Sequence, residues 1–236
     1  MVPTFPVPGS LGRPPAYAPP MDGRPSAARD PWLVALIACA VGAAGVAVIV
    51  GGQGMVFVDG PIADVVRGLP VPVDAWRAIT QAGEWVLVAV GAVLVLGLIA
   101  GGRARMALVV AVALIAASVL TDAAKDWVAR PRPPDPVADA GGYGFPSGHT
   151  LNSTVAYGIA TVLAWRSSLP RGVRVGLVAA LVALIAFVGL SRVALGVHYP
   201  SDVVAGWLIG TALVSVVAVV DRADRASRDD PGPPGP

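Results

Sequence analysis

Charged residues divide this chain into long apolar stretches. Residues 31–58 carry no charge, and neither do 85–102, 106–121, 150–165, 175–191 or 203–220. A membrane-spanning helix needs about 20 apolar residues, with a lower limit near 17. Flanking arginines extend the shorter runs by snorkelling toward the headgroups. The pattern therefore predicts an all-α integral membrane bundle of six transmembrane helices, with the membrane domain filling residues 32–220. Residues 1–31 hold nine prolines and no apolar periodicity, which predicts a disordered Pro-rich tail. A secretory signal peptide fits less well, because the first apolar run starts only at Trp32 and is too long. Residues 221–236 end in Pro-Gly-Pro-Pro-Gly-Pro and predict a second disordered tail. Residues 59–83 mix Val65, Leu69, Trp76 and Ile79 with Asp64, Arg67, Asp74 and Arg77, which reads as an amphipathic stretch in the headgroup region.

Composition supports this reading. Hydrophobic residues make up 55% of the chain and charged residues 14%, with a mean hydropathy of +0.70. A soluble domain carries about 25% charged residues, so a soluble globular enzyme is excluded. The single cysteine, Cys39, excludes a disulfide scaffold and reads as a small buried hydrophobe. A net charge of +2, with no basic patch interleaved with aromatics, gives no footprint for nucleic acid.

Orientation follows from the arginines. Both termini and the loops after the second and fourth spans carry eleven of the 17 basic residues, and the opposite face carries six. The positive-inside rule then puts both termini in the cytoplasm. The one lysine and both histidines gather on the outer face, Lys125 after the third span, His149 before the fourth and His198 before the sixth, with Arg192 after the fifth beside them. Ionisable groups near the bilayer are costly and usually functional. His198 and Asp202 are four apart, so a carboxylate can accept from one imidazole nitrogen and leave the other free as a nucleophile. In Pro146-Ser147-Gly148-His149, a helix opens with a hydroxyl and free backbone N–H groups, which suit a phosphate. Lys125, Arg132 and Arg192 add three cations.

These residues fall in three blocks. Lys125 is followed by six residues and then Arg132-Pro133; Pro146-Ser147-Gly148-His149 comes next; Ser191-Arg192, five residues, His198, three residues and Asp202 close the set. The arrangement resembles the three-part signature of the type 2 phosphatidic acid phosphatase superfamily, the lipid phosphate phosphatases, in its bacterial membrane branch. The resemblance implies catalytic roles for His198, His149 and Asp202. His198 would attack phosphorus, Asp202 would orient it, and His149 would protonate the leaving oxygen and then activate water. It implies phosphate binding by Lys125, Arg132, Ser147, Gly148 and Arg192. No metal and no cofactor are implied.

The implied partners are a lipid phosphate substrate and the surrounding lipids, with no nucleic acid and no known protein partner. The implied place is the plasma membrane, with the site on the extracytoplasmic side. Phosphatidic acid, phosphatidylglycerol phosphate and a polyprenyl diphosphate all fit, and the outward site favours the last slightly. Phosphotransfer to an alcohol, vanadate-dependent halide oxidation and an inactive lipid-binding homologue are the competing readings. Six apolar spans argue against the second, whose representatives are soluble, and the complete signature argues against the third. Among the other residues, Arg130 reads as a headgroup contact, while Tyr199 and Trp207 read as interface-belt and bundle-surface aromatics. Gly141-Gly142 gives the loop flexibility, Tyr143 is a candidate for lining the substrate entrance, and Asp122, Asp126, Asp135 and Asp139 read as solvated.

Overall fold

A computed structural model of the chain describes residues 30–51 and 56–229. Residues 1–29 and 230–236, which make up most of the two expected tails, lie outside the described residues. The described residues form eight helices and no strand: α1 (Pro31–Val50), α2 (Asp59–Arg67), α3 (Val73–Gln81), α4 (Trp85–Ala100), α5 (Ala104–Val128), α6 (Gly148–Trp165), α7 (Arg171–Ala194) and α8 (Pro200–Asp229). The start of α1 shows the local logic. Pro31 occupies the first turn, where its missing N–H costs nothing, and the Asp30 carboxylate accepts from the Trp32 N–H at 2.9 Å.

Five helical stretches are long and apolar enough to cross a membrane: α1, α3 with α4 (Val73–Ala100), α5, α7 and α8. Their outer faces carry exposed aliphatics such as Val88, Leu96 and Ile115, which suit lipid and not water. The chain is thus a multi-pass membrane protein. The remaining long helix, α6, is more polar in its first half, where His149, Thr150, Asn152, Ser153 and Thr154 sit. It is also the most enclosed helix, and Leu151, Val155 and Ile159 on it are fully buried. A helix surrounded by protein does not need a lipid-compatible surface, which explains why its composition differs from that of its neighbours. Cys39 on α1 is half-buried.

The core lies between α4, α5, α6 and α8, around Met106, Val110, Leu151, Val155, Ile159 and Val217. Two glycines set the α6–α8 distance. A Cβ on Gly210 would lie 2.6 Å from the Thr154 Cβ, and one on Gly206 would lie 3.0 Å from the Ser147 carbonyl oxygen. This Gly-x-x-x-Gly face lets two backbones approach closely, as small residues do in membrane bundles. It brings the first turns of α6 and α8 side by side, and those turns carry the candidate chemistry. On the other side of α8, Trp207 fills the space left by Gly189 of α7, within 3 Å of where a Cβ would stand. Trp207 is therefore packed against α7 and only partly exposed on the bundle surface.

The amphipathic segment is resolved into α2 and α3, which dock on the end of α7. Ala63 and Val66 pack with Val193 and Val203, and Trp76 packs with Leu195 and Val197. At the opposite end, α8 continues through Asp221 to Asp229, so residues 221–229 are helical and not the start of a disordered tail. An ion network explains the extension. The fully buried Asp221 carboxylate accepts from Arg103, Arg166 and Arg225, and Asp224 pairs with Arg103 at 3.1 Å and Arg228 at 3.3 Å.

Candidate active site

Each block of the sequence signature falls at a helix end. Helix α5 stops at Ala129, whose left-handed backbone (φ 48°) turns the chain sharply after Lys125. The chain then passes through Arg130 and Arg132 and returns to α6 at Ser147. The α7 helix ends just beyond Arg192, and a short turn presents His198 before α8 begins. Backbone bonds tie the blocks together. The Ser147 N–H donates to the Asp202 carbonyl at 3.0 Å, and the Val197 and His198 N–H groups donate to the Arg192 carbonyl at 3.2 and 3.3 Å.

His198 is the most constrained of the candidates. Its Nδ1 lies 2.8 Å from the Gly144 carbonyl oxygen, and its Nε2 lies 3.1 Å from Nη1 of Arg132. A carbonyl can only accept and a guanidinium can only donate. The proton therefore sits on Nδ1, and Nε2 carries the lone pair. Arg132 is itself fixed by the carbonyls of Val197 (2.7 Å), Gly141 (2.8 Å) and Gly142 (3.0 Å). Gly141-Gly142 thus does more than loosen the loop. Burial pushes the His198 imidazole down to about 4, Asp202 opposes the shift, and Arg132 and Arg192 reinforce it.

Asp202 stands elsewhere than expected. Its Oδ2 is 3.6 Å from Nδ1 of His198, beyond hydrogen-bonding distance, and accepts instead from the Tyr199 N–H at 2.9 Å. The four-residue spacing implied a helical face, but His198 lies in the turn before α8, where a carbonyl from the neighbouring loop is closer. The other oxygen, Oδ1, accepts from Arg130 at 2.5 Å. Arg130 is fully buried, and it also reaches Asp59 at 2.6 Å and the Ser201 hydroxyl at 2.7 Å. Its guanidinium lies 4.5 Å from the Tyr199 ring centroid. The readings of Arg130 as a headgroup contact and of Tyr199 as a belt aromatic are therefore corrected. Both belong to a buried charge relay behind Asp202.

The remaining candidates line two adjoining cavities that share His149 and Glu84. One, of about 410 Å³, is bounded by Lys125, Gly148, His149, Thr121 and Asn152. The other, of about 630 Å³, is bounded by Thr80, Arg77, His149 and Arg192, with Asp139 at its edge. Arg192 is buried and donates to the Thr80 hydroxyl at 2.7 Å, while its Nε has no partner among the described residues. The Nε is sealed, so what the cavity meets is the rest of this buried guanidinium, and a buried cation at a cavity wall fits an anionic ligand. The His149 Nε2 lies 4.0 Å from the Glu84 carboxylate. Ser147 is buried, and its hydroxyl accepts from Thr150 at 2.9 Å.

The structure thus gathers Lys125, Gly148, His149 and Arg192 around two adjoining cavities, whereas Arg132 and His198 line neither of the two and are bonded to each other, with Asp202 behind them. Sequence reasoning missed Asp59, Thr80 and Glu84. Glu84 had a visible signal, as the lone carboxylate opening the second apolar run on the outer face. Asp59 and Thr80 had none, because their partners are remote in the chain.

Comparison with known proteins agrees with this architecture. Phosphatidylglycerophosphatase B of Bacillus subtilis (strain 168) is 33% identical over 105 residues, which is 42% of this chain and 50% of that protein. The chain thus aligns with about half the length of that relative. The structure is similar to the crystal structure described as the first transmembrane PAP2 type phosphatidylglycerolphosphate phosphatase from Bacillus subtilis. The TM-score is 0.67 at 22% identity, covering 80% of this chain and 96% of that one. Aquifex aeolicus LpxE matches with a TM-score of 0.54 at 22% identity, over 70% of this chain and 99% of that one. At that identity the two structures establish a shared fold. The family model of the PAP2 superfamily matches residues 106–225, which include every residue of the three-block signature. By that match the chain belongs to the PAP2 superfamily.

Proposed function

We propose that the chain is a membrane lipid phosphatase acting through a phosphohistidine. The observation that carries this reading is the state of His198, whose proton is held on Nδ1 and whose Nε2 lone pair faces a guanidinium. When a phosphate enters, Arg132 can transfer its N–H from Nε2 to a phosphate oxygen, which frees the lone pair for attack. The N–P bond forms as the P–O ester bond breaks, and His149, protonated by the acidic proton of the entering lipid phosphate monoanion, delivers that proton to the departing oxygen. His149 then takes a proton from water, which attacks phosphorus and releases inorganic phosphate and neutral His198.

Lys125, Arg132 and Arg192, with the Gly148 N–H, hold the non-bridging oxygens; each such contact is worth roughly 3–4 kcal/mol by analogy with a lost oxyanion donor. Ser147 supports that cradle through its bond to Thr150. Asp202, 3.6 Å from Nδ1, balances the positive ring of the intermediate. In this reading α6 is also a span, the fourth of six, both termini are cytoplasmic and the site opens on the extracytoplasmic face, as the arginine distribution supports.

The test is phosphate release by detergent-purified protein, with EDTA present, from phosphatidic acid, phosphatidylglycerol phosphate and a polyprenyl diphosphate. Release that His198→Ala abolishes, with the variant still inserted in the membrane, is the expected result. Undiminished release by His198→Ala would overturn the mechanism, and no release from any lipid would overturn the activity.

A further inference from the structure

Below the phosphate cavity lies a second, apolar space of about 460 Å³ between α4 and α5, lined by residues such as Leu87, Gly91, Val95 and Leu114. It shares Leu87, Val88, Ser118 and Asn152 with the cavity that holds Lys125, Gly148 and His149. Ser118 and Asn152 are the two polar residues of the apolar space, and they stand at its junction with the charged one. Asn152 follows Gly148 by about one helical turn, roughly 5.4 Å along α6. It shares a face with His149, three residues earlier.

The Asn152 side-chain oxygen is buried and has no hydrogen-bond partner among the described residues. Such a group costs stability unless something supplies a partner. That oxygen is sealed from both cavities, whereas Asn152 as a residue lines both, so the NH₂ end of the carboxamide is the end a ligand reaches.

Resting on the lipid phosphatase reading, we propose that Asn152, with Ser118, is a specificity determinant for the tail side of the substrate. The two residues recognise a hydrogen-bond acceptor a few bonds from the phosphorus, as the ester carbonyl of a glycerolipid provides. The carboxamide NH₂ and the Ser118 hydroxyl can each donate to an ester carbonyl. The first carbons of a polyprenyl chain offer no acceptor, so that substrate leaves the amide unpaired in an apolar neck. The neck therefore favours glycerophospholipid phosphates over polyprenyl phosphates, reversing the slight preference drawn from orientation alone. A site built to bond a polar group rejects the analogue lacking it more strongly than an apolar pocket rejects an added group.

The experiment measures kcat/KM of the full chain in one detergent for phosphatidic acid and for a polyprenyl monophosphate, so that the phosphate chemistry is matched. Asn152→Leu keeps the volume and removes the amide. The expected result is a fall of about tenfold in the ratio of the two values. A ratio within about twofold of wild type would overturn the proposal. If Asn152→Leu does not fold, the wild type is compared on ester-linked and ether-linked phosphatidic acid. A preference of about tenfold for the ester supports the neck, and equal rates overturn it. A wild type that hydrolyses neither class of lipid refutes the phosphatase reading itself, which separates that failure from this one.

Discussion

Arg130 and Arg132 are separated by one proline, yet they do different work. Arg132 bonds Nε2 of His198, while Arg130 is sealed between Asp59 and Asp202. Sequence spacing could flag both as basic residues near a membrane surface, but it could not tell which one is buried. The distinguishing partner, Asp59, is the first charge after the longest uncharged run and lies far away in the chain. Removing Arg130 would leave two carboxylates buried without a cation, which typically costs about 3–5 kcal/mol. Arg130→Met is therefore expected to lower Tm in detergent by at least about 6 °C, given roughly 2–4 °C per kcal/mol at this size. An unchanged melting curve would show that the relay is not holding the fold. The three-block residues themselves were legible because they include the chain's one lysine and both histidines, keep a distinctive spacing and sit at span boundaries. The bond from His198 to Gly144 was not, because backbone carbonyls leave no mark in a sequence.

His198 also sets a pH expectation. Its pKa is depressed to about 4 from the usual 6.5, so the imidazole stays neutral as pH falls past 6.5 and protonates only near 4. Protonation removes the nucleophilic lone pair. Followed by NMR in the substrate-free protein, the His198 imidazole should therefore titrate near pH 4, and a midpoint near 6.5 would contradict the buried, cation-flanked setting.

At the scale of elements, apolar periodicity located the helices well because lipid-facing surfaces must be apolar all along their length. It said less about α6, whose surroundings are protein, and nothing about which helices touch. The α6–α8 contact depends on Gly206 and Gly210, whose role emerges only when the two helices face each other. A side chain at Gly210 meets Thr154 at 2.6 Å, backbone-attached carbon against backbone-attached carbon, so neither can swing aside. Gly210→Ala is expected to destabilise by about 1–3 kcal/mol and to lower phosphate release, because the helix starts that carry His149 and His198 are pushed apart. Gly45 on α1 is the control, since nothing lies within 4 Å of its Cβ position. Gly45→Ala should leave Tm unchanged or raise it slightly through better helix propensity. Equal behaviour of the two variants would refute the close-approach argument.

For the whole molecule, α8 carries a fully buried carboxylate near each end, Asp202 beside the site and Asp221 in the arginine network. At 1.5 Å per residue they are about 28 Å apart, which matches a hydrocarbon core about 30 Å thick. Buried charge thus sits at the two boundaries of the apolar layer, where partners from several helices can reach it. Asp221 draws Arg103 from the turn before α5, Arg166 from the end of α6 and Arg225 from α8 itself. The network therefore clamps three helices at the end away from the cavities. Asp221→Asn removes the charge these arginines converge on while keeping the shape. Leaving a partly buried guanidinium cluster unbalanced should cost about 3–5 kcal/mol, by the same reasoning as for a broken buried pair. Because the cavities lie at the other end, kcat/KM per folded molecule should stay within about twofold of wild type, as distant sites without shared partners act independently. Thermal unfolding and phosphate release measured on one preparation decide the matter. A large loss of stability with intact turnover places the clamp outside the catalytic machinery, whereas a parallel loss of both would mean that α8 transmits strain from one boundary to the other.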